Sequence, residues 1–133
     1  MGVLSDYFVA DPTAVAQIEG SGQLSHTWPR IDAKGFGVVP LGAVAKRLGV
    51  TAFEPGPPEV HGPDYEWFVL PLTPALVAAL AKLSPAAVAA HAEAIAPIPE
   101  LEWTPGEVTR VLDGLAKLAA GAGSARVYLW TSV

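Results

Sequence analysis

The sequence predicts an α+β fold, with one domain over residues 1–133 built on a mixed or antiparallel sheet of about four strands and helices packed against it. Three observations lead to this class. Residues that favour strands are concentrated at both ends of the chain, and apolar runs that begin at proline fill the region between them. In addition, 51% of the 133 residues are hydrophobic, so the chain buries enough surface to form a core without cross-links.

The predicted strands bracket the chain. Val3 to Ala10 and Ala125 to Thr131 are rich in β-branched and aromatic residues, Tyr65 to Leu70 is a third run, and Val50 to Phe53 is a weaker fourth. The stretch Val127 to Trp130 is apolar at every position, a pattern typical of a strand that is covered on both faces near the centre of a sheet. We therefore expect the first and last strands to lie inside the sheet.

Four helices are predicted to begin at the same kind of dipeptide, a polar residue followed by proline. The polar side chain can accept a hydrogen bond from a free backbone N–H of the first turn, and proline removes a donor that has no partner there. The last of these starts is followed by Gly106 and Glu107, which completes a capping box. The four dipeptides are Asp11-Pro12, Thr73-Pro74, Ser84-Pro85 and Thr104-Pro105.

Apolar periodicity extends these starts into helices. The helix over Pro105 to Ala120 has one apolar face, made of Val108, Val111, Leu112, Leu115 and Leu118. The helix over Pro85 to Ala96 is rich in alanine, which suits either close packing inside the monomer or a homodimer interface. The other predicted helices cover Pro12 to about Ile18, Pro40 to Leu48 with Gly49 as the stop, and Pro74 to Leu83.

The composition limits the classes of function. The chain has no cysteine, which excludes disulfides, thiolate metal sites and a cysteine nucleophile and favours the cytoplasm. Its net charge is −5 and its eight basic residues are scattered, whereas nucleic-acid binders carry basic patches. The longest uncharged apolar-rich stretch, Phe68 to Ala81, is shorter than a membrane span and is interrupted by proline. We expect a soluble protein that binds neither nucleic acid nor membrane.

The loop over residues 26–34 holds the densest group of chemically active side chains, namely His26, Trp28, Arg30, Asp32 and Lys34. An enzyme or ligand-binding protein would use Asp32 as a base, His26 as an acid or base, and Arg30 or Lys34 as an anion clamp. A structural interpretation is favoured over this one. The four residues that begin at Asp32 suit a turn, with aspartate first and glycine fourth, and Trp28 would pack the loop onto the protein.

No metal, cofactor or catalytic nucleophile site is predicted. His26, His61 and His91 lack the spacing of metal ligands, and no serine lies in a nucleophile elbow. The acidic residues of the proline-rich loop over 54–64 are too dispersed for a calcium site. This loop is therefore expected to be solvated or to contact a partner.

The four tryptophans are numerous for a chain of this size. Trp67 and Trp130 lie in predicted strands, where burial in the core explains them. Trp28 and Trp103 lie in loops beside prolines, where an aromatic side chain either covers the edge of the core or marks a surface that binds a partner.

Two ends and one central motif of the chain resemble a known family. The start from Met1 to Ala10, the run Asp32-Ala33-Lys34-Gly35, and the last helix leading into Val127-Tyr128-Leu129 resemble the YfbM-like family of bacterial proteins of unknown function. This resemblance implies an α+β fold and assigns no reaction. The abundance of alanine, glycine and proline also indicates a GC-rich bacterial source.

The function that these observations favour is non-catalytic binding of a protein partner through Trp28 and Trp103. The alternative is a small-molecule ligand-binding protein or small enzyme that uses the 26–34 loop. This alternative requires His26, Asp32 and Lys34 to converge on one concave pocket.

Overall fold

The computed structural model describes residues 4–19, 23–50, 58–99 and 101–132. The strands in these ranges are β1 (Ser5–Ala10), β2 (Arg30–Asp32), β3 (Val60–His61), β4 (Trp67–Pro71) and β5 (Arg126–Ser132). The helices are α1 (Pro12–Val15), α2 (Val38–Arg47), α3 (Pro74–Ala81), α4 (Pro85–Ile95) and α5 (Pro105–Gly121). This set of elements confirms the predicted α+β class.

One antiparallel sheet in the order β2-β1-β5-β4-β3 forms the centre of the fold. The last strand lies in the middle and pairs with the first, which confirms that both terminal strands belong to the sheet. The sheet has five strands rather than about four. The two unpredicted strands, β2 and β3, are edge strands of only three and two residues. Most of the predicted weaker strand from Val50 to Phe53 lies outside the described residues.

The two faces of the sheet carry different layers. Alternate residues of β1 and β5 point to opposite faces, so Tyr7 and Leu129 belong to one core, and Phe8 and Tyr128 to the other. The larger core lies between the sheet and the layer of α2 to α5. The smaller core on the other face is covered by α1 and by the segment that contains Trp28.

Three helix starts follow the predicted chemistry. The side chains of Thr73, Ser84 and Thr104 accept hydrogen bonds from the backbone N–H three residues further on, at 3.2–3.3 Å. Glu107 Oε2 also accepts from the backbone N–H of Thr104 at 3.1 Å, which confirms the capping box. The fourth start differs, because the side chain of Asp11 makes no capping hydrogen bond.

Helix α2 begins two residues before its predicted start at Pro40. Gly37 is the N-cap, so Pro40 lies in the first turn, where backbone N–H groups have no partner inside the helix. Gly49 follows the C-cap with φ of +76°, which confirms its predicted role as the stop.

The helices pack against each other as well as against the sheet. Helix α5 contacts β1 and β2, and α3 and α4 pack on α5. Of the described helices, none alone is long and apolar enough to cross a membrane; α3 and α4 reach that length and composition only together, and they are bent by 118°.

Candidate functional site

Two aspartates face each other on neighbouring strands. Asp6 of β1 is the register partner of Asp32 of β2, and Trp130 of β5 is the partner of Asp6 on its other side. Side chains that are paired across a sheet point to the same face. Asp32, Asp6 and Trp130 therefore form one row on the face that is turned away from α5.

This row lines a cleft with a volume of about 540 Å³. Cavities of about 300–1,000 Å³ are the usual size for small-molecule sites. Asp6 is half-buried, whereas Arg30 and Asp32 are exposed, so a ligand from solvent has access to all three charged groups. The lining residues are Leu4, Ser5, Asp6, Gln23, Leu24, Arg30, Asp32 and Trp130.

The charges in the cleft are not balanced. Burial raises the pKa of Asp6, the negative charge of Asp32 raises it further, and the positive charge of Arg30 opposes both effects. Among the described residues, the one ion pair joins Lys117 and Asp113 at 3.0 Å on the exposed side of α5. Neither aspartate of the cleft is therefore paired with a cation in the described part of the chain.

Trp130, which lines the cleft, also carries an unpartnered polar atom. The indole Nε1 of Trp130 is buried, and no described residue accepts its hydrogen bond. An indole N–H can only donate, and an unpaired buried donor costs free energy.

Strand β2 is held in place from the opposite face. Its central residue, Ile31, points towards α5 and packs against Gly114, while Arg30 and Asp32 point into the cleft. The absence of a side chain at Gly114 allows this close approach. Helix α5 therefore positions the strand that carries two of the three charged groups.

The turn after β2 is anchored by Tyr7. The Phe36 N–H donates to the carbonyl of Ala33 at 2.8 Å, and the Tyr7 hydroxyl donates to the carbonyl of Phe36 at 2.7 Å. Burial raises the pKa of Tyr7, so this donor keeps its proton. The turn thus spans Ala33 to Phe36, with Gly35 third at φ of +87°, which corrects the predicted register by one residue.

Trp28 forms part of the packing beside the cleft. Its ring stacks on Phe8 at 5.3 Å between centroids, and Phe8 in turn stacks on Tyr128 at 5.5 Å. Leu24, which lines the cleft together with Gln23, packs against the same hydrophobic cluster as Trp28.

The other residues singled out in the sequence lie in different places. Trp103 is half-buried on the helical face and packs against Phe36 at 5.6 Å between centroids. The two loop tryptophans thus lie on opposite faces of the sheet, and the structure does not combine them in one surface. His26 and Lys34 are exposed and do not line the cleft, so Arg30 and Asp32 are the two residues of the 26–34 set that do.

His91 has a partner on a neighbouring helix. Arg47 Nε of α2 donates to Nδ1 of His91 on α4 at 2.9 Å. Partial burial and the positive charge of Arg47 lower the pKa of His91. Within the described ranges, no three histidine or acidic side chains gather in a way that could hold a metal ion.

A second cavity of about 580 Å³ lies between α3, the end of α5 and the neighbouring ends of β4 and β5. Its lining is mostly apolar, with Val77, Ala78 and Ala119 among the residues, and Arg126 is the one ionisable residue among the described residues that line it. It therefore lacks the combination of opposite charges that distinguishes the cleft on the other face.

Of the polar and aromatic residues that line the cleft, sequence reasoning singled out Arg30 and Asp32, assigned Trp130 to the core, and did not consider Asp6 or Gln23. Asp6 is the only charged residue in β1, and a carboxylate in a strand that is otherwise buried was the available signal. Its proximity to Asp32 depends on strand pairing, which no local pattern reveals.

No protein-family model, curated protein or solved structure matches this chain. The resemblance to the YfbM-like family stays a prediction, and the function has to be inferred from the geometry of the site.

Proposed function

We propose that the protein binds a small ligand that carries a protonated amino group, and that it does so in the cleft of Asp6 and Asp32. The observation that carries this proposal is the register pairing of the two aspartates on the wall of a cavity of ligand size. An ammonium group placed between two carboxylates offsets their negative charge and donates charge-assisted hydrogen bonds to both.

The arrangement without a ligand is unfavourable, which supports a role in binding. Like charges placed directly opposite each other destabilise a pair of strands, by an amount on the order of 0.2–1 kcal/mol. Charged groups whose pKa is perturbed by burial and by a specific neighbour are also concentrated at functional sites. A bound cation would remove the repulsion between Asp6 and Asp32.

The remaining lining residues favour an organic cation over a metal ion. A metal site needs several ligands of the right type, and in the described residues no third carboxylate or histidine joins the two aspartates. Trp130 instead offers an aromatic surface, which attracts organic cations, and Leu24 offers an apolar contact. The ligand is therefore expected to combine an ammonium group with an apolar part.

Titration with 2-phenylethylamine, observed by NMR at the indole N–H groups, tests this proposal. The signal of Trp130, assigned with Trp130→Phe, is expected to shift, and that of Trp103 on the other face is expected to stay. Asp6→Asn and Asp32→Asn should each weaken binding at least about tenfold, the loss expected for one charge-assisted hydrogen bond.

Glu93→Gln is the matched control, because it removes one acidic charge from the exposed surface of α4. It should leave the affinity for the amine unchanged. An amine that fails to shift the Trp130 signal, or binds Asp6→Asn as tightly as the wild type, would disprove the proposal.

A further inference from the structure

Arg30 adds a positive charge to the same cleft. Its side chain lies on the same face of β2 as that of Asp32, and it lines the cavity together with both aspartates. It makes no ion pair with either aspartate, although its charge acts on Asp6. The guanidinium donors of Arg30 are therefore near the carboxylates and are not used by them.

We infer that the cleft binds a zwitterion, with the ammonium group of the ligand at Asp6 and Asp32 and its carboxylate at Arg30. This inference rests on the proposed function, which accounts for the ammonium group alone. The chemical class is that of α-amino acids with an apolar or aromatic side chain.

The charges of the site and of such a ligand are complementary. Guanidinium groups bind carboxylates through paired, parallel hydrogen bonds, which a lone arginine at the edge of a cavity can still provide. An α-amino acid holds its two charges one carbon apart, so it suits a site where opposite charges are neighbours without being paired. Its side chain would then lie over Trp130 and Leu24, the apolar part of the lining.

An alternative role for Arg30, in which it only offsets the charge of the two aspartates, would predict a different ligand. If its charge served only to offset the two aspartates, a carboxylate on the ligand would add nothing to binding and a simple amine would bind as tightly. The comparison of a simple amine with the corresponding amino acid therefore distinguishes the two roles.

The experiment uses isothermal titration calorimetry with L-phenylalanine, 2-phenylethylamine and 3-phenylpropionate. L-phenylalanine is expected to bind at least about tenfold more tightly than 2-phenylethylamine, and 3-phenylpropionate should bind more weakly than both. Arg30→Gln should abolish the preference for the amino acid over the amine. Arg110→Gln, at an exposed position of α5, is the control and should retain the preference.

Two results overturn the inference, and they are distinguishable. If 2-phenylethylamine binds as tightly as L-phenylalanine, or the preference for L-phenylalanine survives Arg30→Gln, the inference of a zwitterionic ligand is wrong, whereas the proposed amine site is retained. If neither L-phenylalanine nor 2-phenylethylamine binds in the cleft, the proposed function is wrong as well.

Discussion

Replacing Gly114 by alanine is expected to destabilise the protein, although alanine is the better helix former. Gly114 lies inside α5, and a Cβ atom built on it would be 2.9 Å from Cγ2 and 3.0 Å from Cδ1 of Ile31. Both distances are shorter than a normal contact, and the crowded atoms belong to a branched side chain with little freedom. Either Ile31 or the backbone of β2 has to move.

Two opposing effects determine the size of the change. Alanine in place of glycine inside a helix stabilises by about 1 kcal/mol. Forcing a methyl group into a packed site costs about 1–3 kcal/mol. Gly114→Ala is therefore expected to lower the free energy of unfolding by about 1 kcal/mol. In an Ile31→Ala background the crowded methyl groups are absent, and the same change should raise it by about 1 kcal/mol.

Equilibrium urea unfolding of the wild type, the two single variants and the double variant measures this coupling, followed by far-ultraviolet circular dichroism. Gly42→Ala in α2 is the control, because nothing lies within 4 Å of its added Cβ and it should stabilise. If Gly114→Ala stabilises the wild type as much as it stabilises Ile31→Ala, the proposed contact between α5 and β2 is wrong.

Three further predictions concern the cleft and the supporting structure. Asp6→Asn should raise the Tm by roughly 1–4 °C near pH 7 and leave the Tm unchanged near pH 3. Burial and the charge of Asp32 raise the pKa of Asp6, so the wild type loses stability as the pH rises through that pKa and Asp6 becomes charged. An equal gain in Tm at both pH values would refute this charge effect. Gly62→Ala should cost at least about 2 kcal/mol in urea unfolding, because its Cβ would lie 2.6 Å from Cδ1 of the buried Trp67, and a neutral result would contradict that packing. Thr104→Ala should cost about 1 kcal/mol by removing the cap of α5, whereas Thr104→Ser should cost little.

The elements that the sequence predicts well are those with a local cause. Helices α3, α4 and α5 begin where a polar residue precedes proline, because capping depends on atoms within one turn. The central position of β5 follows from its apolar residues on both faces. Strands β2 and β3 are too short to show an alternating pattern, so their existence depends on neighbours that are distant in the sequence.

Only part of the candidate site can be predicted from the sequence in the same way. Arg30 and Asp32 stand out in the sequence because charged and aromatic residues are dense in that segment. Their grouping with His26 and Lys34 assumes that neighbours in sequence share a surface, whereas a strand sends alternate side chains to opposite faces and a turn changes the direction of the chain after it. The actual neighbours of Asp32 in the cleft are Asp6 and Trp130, which belong to two other strands.

The short edge strand β2 contributes both to the packing of the core and to the lining of the cleft. Its side chains alternate between the α5 layer, which receives Ile31, and the cleft, which receives Arg30 and Asp32. A shift of this strand away from α5 would therefore change the distance of both charged groups from Asp6 at the same time. If the cleft binds a zwitterion, Gly114→Ala should weaken that binding although it contacts no ligand, and Ile31→Ala should restore part of the affinity. The contact between Ile31 and Gly114 on the opposite face would then affect the spacing of Asp6, Arg30 and Asp32 in the cleft, and through it the affinity for the ligand.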